Sequence, residues 1–429
     1  MGFFLFFLYL LGLLIRPQDF LLFMLEQPVI FALSLLLLMS GCLFRLKLNA
    51  PQYFHVFGLV VAVPVSLFLV SWSLMVDRTF DFVLYSVLPF LFAAAFADTL
   101  EREEKILAIF IFCGAVMALH GVDQILDPDK IGWSGVAANV RYDSIADPVW
   151  QIRYVGIFND PNDLGMYLLF CIPLILYFLN RDGFGLKVAL WIPLLLLHLY
   201  AVWLTNSRGT MVALMAIVVL YALFRYGGIK AVVVLAIAVP ILTPVFYAVA
   251  PSRMLITDDS SSMERIYAWN EGIKMFKWRP VFGIGKAGFM DYHPKTAHNS
   301  WVLVLAELGM LGYSLWMAML SYSVFQLWYK YKFLGDRLAA LGALTAHEIR
   351  ERKIAFALLF AILGALAAAF FLSRSYIVVI FLMCGLAVAQ HARMKALYPD
   401  YQAPAIAKPV FLVILVSIYL LHFATKVMS

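Results

Sequence analysis

The chain has 429 residues, of which 64% are hydrophobic and only 14% are charged, with a formal net charge of +6. Its mean hydropathy is +0.89. A soluble domain is about 25% charged, so a water-soluble globular protein is excluded and an all-α polytopic membrane protein is expected.

Apolar runs recur at the length of about 17–25 residues that crosses a hydrocarbon core. In chain order the expected spans are 2–15, 28–44, 53–75, 79–97, 106–120, 161–180, 186–204, 210–224, 231–250, 299–327, 354–371, 376–392 and 409–425. That makes about 12–13 transmembrane helices in a single domain over 1–429, because no polar segment is long enough to build a second core. The first run resembles a signal-peptide core but lacks a basic start and a small-residue cleavage site. It reads as a retained span. Cys42, Cys113, Cys171 and Cys384 fall in or beside apolar runs with no CxxC pair, which suits small buried hydrophobes.

The charges orient the bundle. With the N-terminus in the cytoplasm, the inner loops hold 17 Lys/Arg, six of them in a cytoplasmic loop at 328–353, whereas the short outer connections hold five: Arg16, Arg78, Arg208, Arg374 and Lys426. The positive-inside rule counts short loops. It therefore turns the two long loops, 121–160 and 251–298, outward.

Four motifs lie on that outer side. The first is Arg153-Tyr154-Val155-Gly156 followed by Asp160-Pro161-Asn162-Asp163. Asp before Pro is a helix start; a second reading has Asn162 and Asp163 bind sugar hydroxyls or orient an arginine. As metal ligands, two carboxylates without a third partner make a thin site. The second motif is Thr205-Asn206-Ser207-Arg208-Gly209, a tight turn whose arginine runs against the local charge bias. A guanidinium matches phosphate oxygens with a planar fork, though it also snorkels to headgroups.

The third motif sets Arg265, Trp269 and Gly272 at helical spacing on one face of a short amphipathic helix. That face anchors the helix at the interface or brings Arg265 beside Arg208 at a diphosphate. Arg279, in the same loop, competes with Arg265 for that place. Gly283-Ile284-Gly285-Lys286-Ala287-Gly288 spells GxGxxG, but no strand precedes it and no βαβ unit surrounds it, so it is not a dinucleotide fingerprint. The fourth motif is His298-Asn299 at the mouth of an apolar helix that carries Glu307. A helix N-terminus disfavours imidazolium, and a neutral imidazole there acts as a base or accepts a hydrogen bond. Capping or packing is the plainer role. His293 is the competing imidazole. Glu307 is expected to face another helix and pair there, since intramembrane carboxylates are costly alone. No HExxH, His/Cys cluster, Walker loop or GxSxG occurs, so neither a metal nor a cofactor is expected.

In this order the motifs resemble the O-antigen ligase family of bacterial membrane glycosyltransferases, which includes O-antigen polymerases and protein O-oligosaccharyltransferases. The matching residues are Arg153…Gly156 with Pro161-Asn162, Ser207-Arg208-Gly209, Arg265…Trp269…Gly272, Pro280…Gly283-Ile284-Gly285, and His298-Asn299 with Glu307-Leu308-Gly309. The resemblance covers roughly residues 150–320. It implies a fold like the GT-C membrane glycosyltransferases and a multi-pass protein of the bacterial inner membrane. It implies transfer of a glycan, on the periplasmic side, from undecaprenyl diphosphate to a hydroxyl of lipid A-core, another lipid-linked repeat or a protein. Membrane lipids are the other partners; nucleic acid is not one. Arg208 and Arg265 are then expected to hold the diphosphate and His298 to activate the acceptor, with Arg153, Asn162, Arg279, Asn299 and Trp269 as further contacts. A small-solute transporter is the alternative, but it should place polar residues or broken helices in paired positions at the midplane, whereas here charge gathers at the outer rim.

Overall fold

The structure, a computed structural model, describes residues 2–25, 27–68, 70–141, 148–228, 230, 232, 260–401 and 406–428. Among them, nine helices are long and apolar enough to cross a membrane, and shorter apolar helices stand near both chain ends. The chain is an all-α polytopic membrane protein. Apart from residue 232, the span expected at 231–250 lies outside the described residues, as do the first residues of the 251–298 loop.

The helices are α1 (Gly2–Leu14), α2 (Val29–Met39), α3 (Pro51–Phe68), α4 (Trp72–Phe96), α5 (Leu100–Leu126), α6 (Pro161–Arg181), α7 (Phe184–Leu204), α8 (Arg208–Tyr226), α9 (Ser260–Trp278), α10 (Ser300–Leu341), α11 (Ala346–Ala369), α12 (Val378–Leu397) and α13 (Ala407–Met428). The helices that begin at the motifs are capped by them: Asp160 accepts from the Asn162 N–H, Ser207 from Thr210, and Asn299 from Trp301 and Val302. Each cap satisfies backbone donors that an apolar surrounding would otherwise leave stranded. The helices pack most extensively as α6 on α11, α3 on α10 and α12 on α4, which puts α6, α10, α11 and α12 at the core.

Two segments differ from the sequence reading. The segment 328–353 is not a loop. α10 continues to Leu341, Gly342 closes it with φ +72°, and Thr345 opens α11 with a reciprocal capping box to Glu348. Its buried charges are paired between helices: Lys330 meets Glu351, which also takes Arg393 of α12, and Arg393 in turn meets Glu103 of α5. The 121–160 loop, in turn, contains a small antiparallel hairpin, β1 (Asn139–Arg141) with β2 (Val149–Gln151). Gln151 donates to the carbonyls of Thr205 and Asn206, so the hairpin rests on the α7–α8 turn.

α10 is broken at Gly309, whose φ of +61° and ψ of −163° are not helical. The 280–285 segment fills the break. Ile284 and Gly285 donate to the carbonyls of Ala306 and Glu307 at 3.0 and 2.9 Å, and Met310 and Leu311 donate to Pro280 and Val281 at 2.8 and 3.2 Å. Backbone groups freed inside a membrane protein must be satisfied by protein, and the glycine-rich run does this. A Cβ on Gly283 would lie 2.3 Å from the Glu307 carbonyl oxygen, so the GxGxxG pattern is a docking strip for a broken helix.

Gly283→Ala is therefore expected to cost about 4 kcal/mol or more, as strain at a special φ/ψ does. Gly135, at φ +79° with nothing within 4 Å of a built Cβ, should cost only the left-handed penalty of roughly 1–2 kcal/mol as alanine. Thermal melting of the two purified variants in detergent checks the contrast.

Candidate functional site

The motifs converge at one end of the bundle, around the N-termini of α6, α8 and α10 and the short connection between α11 and α12. Ser207, capping α8, donates to the Asn162 side-chain Oδ1 at 2.6 Å. Asn162 in turn donates to Asp160 at 2.8 Å. The first turns of α6 and α8 are thus tied by side chains 45 residues apart in sequence. A Cβ on Gly165 would fall 2.3 Å from the Thr210 hydroxyl, and one on Gly209 2.9 Å from Phe371, so small residues let these helix ends close on the α11–α12 connection.

That connection organises the rim. Arg374 grips Asp163 through Nε–Oδ1 at 2.7 Å and through a second bond from Nη2 to Oδ2. Asp163 is 1% exposed and the arginine side chain 42%. The Ser373 hydroxyl accepts the His298 backbone N–H at 2.7 Å. Ser300 donates to the Leu372 carbonyl at 2.7 Å, and Ser375 donates back to the Ser300 carbonyl at 2.8 Å. Residues 372–375 therefore strap the start of α10 to the start of α6.

His298 sits half-buried on this strap with φ +48°. A left-handed non-glycine residue persists only where its surroundings hold it, and here the Ser373 bond does so. Burial pushes its pKa below the usual histidine value, and the positive charge of Arg265 pushes it further, against the opposing pull of Asp160. Arg265 and Asp160 thus lie within electrostatic reach of His298, and the imidazole is neutral at pH 7. His293 is elsewhere: it closes a local turn through Nδ1 and the Lys295 carbonyl at 2.7 Å.

α9 lays its Trp269–Gly272 face on protein rather than on lipid. A Cβ on Gly272 would stand 2.4 Å from Val302, and the Trp269 ring meets Phe370 edge-on at 5.7 Å. Trp269 is 8% exposed, so it packs in the interior and presents little ring face to a sugar. Arg265 is one turn nearer the helix start and only partly buried. Arg279 is 14 residues further on, about 21 Å along the helix at 1.5 Å per residue, with its guanidinium over the Trp278 ring at 4.8 Å. The helix therefore carries Arg265, not Arg279, to His298.

The other expected contacts divide. Arg208 occupies the first position of α8, beside Ser207 and half-buried. Asn299 is fully buried as the cap of α10, with its Nδ2 lacking a protein partner. Arg153 is built into the first loop: its Nε donates to the Ala137 carbonyl at 2.7 Å and its backbone N–H donates to the Gln124 Oε1 at 3.1 Å. Glu307 is buried, but in place of the expected partner on another helix it receives the 285–289 segment through the Phe289 N–H at 3.5 Å. Sequence reasoning missed Arg374 and Ser373. The signal for Arg374 was there, since it too is an arginine in a short, arginine-poor outer connection.

Removing the guanidinium with Arg374→Ala leaves the buried Asp163 carboxylate unpaired, expected to cost about 3 kcal/mol. Arg374→Lys should recover only part of this, because an ammonium cannot make the fork. Chemical or thermal unfolding of both variants measures it. For His298, removing a neighbouring positive charge with Arg265→Gln should raise the imidazole pKa toward the ordinary value of about 6.5. Histidine NMR titration of wild type and variant reads the shift.

No curated protein matches the chain. Residues 193–317 match the family model described as O-antigen ligase. The matched stretch runs from α7 through the broken half of α10 and so contains Arg208, Arg265, the glycine strip, His298 and Glu307. The match supports an O-antigen ligase family member, a multi-pass membrane protein of a polysaccharide-related transferase family.

Proposed function

We propose that this protein transfers a glycan from a polyprenyl diphosphate of the undecaprenyl type to an acceptor hydroxyl, working at the periplasmic face of the bacterial inner membrane. The observation that carries the reading is the neutral, strapped His298 within electrostatic reach of Arg265, at the rim where α8 begins with Arg208. The preponderance of Lys/Arg in the expected inner loops, 17 against five, supports the facing.

In the step itself, the acceptor oxygen forms a bond to the anomeric carbon while the bond from that carbon to the diphosphate oxygen breaks. The bonding pair leaves with the diphosphate, and the hydroxyl proton passes to His298. Negative charge grows on the departing oxygen, so fixed guanidiniums there stabilise the transition state more than the ground state. Arg208 and Arg265 are assigned that role, and His298 that of base. Asp160 and Asn162 hold the frame behind them. A groove of about 350 Å³, lined by Val212, Ala213, Ala216, Trp301, Leu366 and Phe370, opens one turn below Arg208. Its apolar lining suits the first isoprene units of such a donor.

Purified protein is offered the lipid-linked glycan together with lipid A-core, a second lipid-linked repeat or a candidate protein, and the product names the acceptor. His298→Ala should abolish transfer with the fold intact, while Arg208→Ala and Arg265→Ala should each lower kcat by about 10²–10³, the loss typical of one charge-stabilising donor. Because the base must be neutral, activity should fall as pH drops through the His298 pKa below 6.5. Unimpaired transfer by His298→Ala refutes the assignment of the base.

A further inference from the structure

A second recess lies at the same end of the bundle, between the α1–α2 connection and α4. It encloses about 490 Å³ and is lined by Arg16, Gln18, Asp19, Gln27, Phe31, Phe80, Asp81 and Tyr85, among others, a volume within the ordinary range of small-ligand pockets. Its wall is built, not incidental. Arg16 has φ +55° and is held by Asp19 through Nε–Oδ2 at 2.5 Å and Nη2–Oδ1 at 3.2 Å. On its other side it presses on Gly156: a Cβ there would lie 2.1 Å from the Arg16 Nε. Gly156, at φ +61°, is thus the one residue type that admits Arg16, which gives the Arg153…Gly156 motif a reason.

Gln18 is 9% exposed and spends its amide N–H on the Gly12 carbonyl at 3.2 Å, leaving Oε1 without a protein partner. Phe31 and Phe80 face each other with centroids 5.9 Å apart, yet remain 45% and 51% exposed. Beside them α4 makes a π-helical turn over Val83–Val87, a distortion frequent at functional sites, next to the pocket residues Leu84 and Tyr85.

The chemistry selects the occupant. Arg16 is neutralised by Asp19, and Asp81 adds a further carboxylate, so the recess does not suit a phosphate or another anion. It offers aromatic faces for C–H surfaces, with carboxylate, amide and phenol groups for hydroxyls. That combination fits an uncharged or amino-bearing sugar. Position agrees: Gly156 is four residues from Asp160, at most about 14 Å of chain, the length of two or three sugar units. We propose that this recess holds a stretch of glycan a few sugars away from the reacting carbon, an inference that rests on the transferase reading above. The glycan belongs either to the donor repeat or to the acceptor.

Two measurements test it. In full-length protein in glycan-producing membranes, Phe80→p-benzoylphenylalanine followed by illumination should give an adduct that stains for carbohydrate. An adduct carrying lipid alone, or none, overturns the proposal. In the purified transfer reaction, Phe80→Leu or Gln18→Leu should raise the KM about tenfold for one substrate, with kcat within about twofold. The donor's KM moves if the recess holds donor glycan, the acceptor's if it holds acceptor; no change in either overturns the proposal. Failure of the transferase reading looks different: the purified protein then transfers glycan to none of the acceptors, whatever the Phe80 adduct carries.

Discussion

The grip of Arg374 on Asp163 fixes the rim, because everything chemical there hangs from the strap it fastens. Asp163 is buried at the first turn of α6, where a carboxylate without a cation would be costly. Its partner comes from the α11–α12 connection, 211 residues later. Once Arg374 is fixed, Ser373 and Ser375 have their places, and with them the backbone of His298 and Ser300. The left-handed His298 is then held from behind, so its ring is presented without relying on a flexible loop. A bidentate guanidinium–carboxylate pair suits this purpose, since its two bonds set orientation as well as distance.

The broken α10 serves the same arrangement. A continuous helix from Ser300 to Leu341 would have no free backbone groups halfway along. The break at Gly309 exposes them, and the 280–285 strip takes them up. This ties the end of α9 to the middle of α10 and so fixes α9 along its length, with Trp269 and Gly272 against Phe370 and Val302. Arg265 owes its position near His298 to contacts one to five turns away. Broken helices are familiar in transporters as ion sites, but here the opened groups are spent on the chain's own backbone.

Hydropathy made the helices legible, because a span must be long and apolar whatever its neighbours are. Local capping chemistry made the start at Pro161 legible, since Asp160 acts within one turn; Ser207 read as a turn residue and Asn299 as a substrate contact, and the structure shows both as helix caps. What depended on distant partners was not legible. The charges of 328–353 looked like loop because their ion-pair partners lie on other helices. The hairpin of 121–160 has strands of three residues, too short for any alternating pattern. Arg374 carried the same signal as Arg208, yet only the fold tells which of two unusual arginines meets a carboxylate and which begins a helix. Trp269 is expected from the sequence as a substrate contact because the sequence does not reveal that Phe370 packs against it.

The two ends of the bundle spend their polar groups differently. At the end opposite His298, Lys330 meets Glu351 and Gln390, and Arg393 meets Glu351, Glu103 and the Ala97 carbonyl, all nearly or wholly buried. Every charge in that network has an opposite charge on another helix, so it joins α5, α10, α11 and α12 and leaves nothing over for a ligand. At the rim the same types of group are tied by their backbones while side-chain atoms stay open. Asn299 Nδ2 and Gln18 Oε1 are buried without a protein partner. Buried polar atoms are normally satisfied, and leaving one unpaired costs stability. Asn299 bears that cost at the cap of α10, next to His298, so its unspent amide donor stands where the helix N-termini and His298 meet.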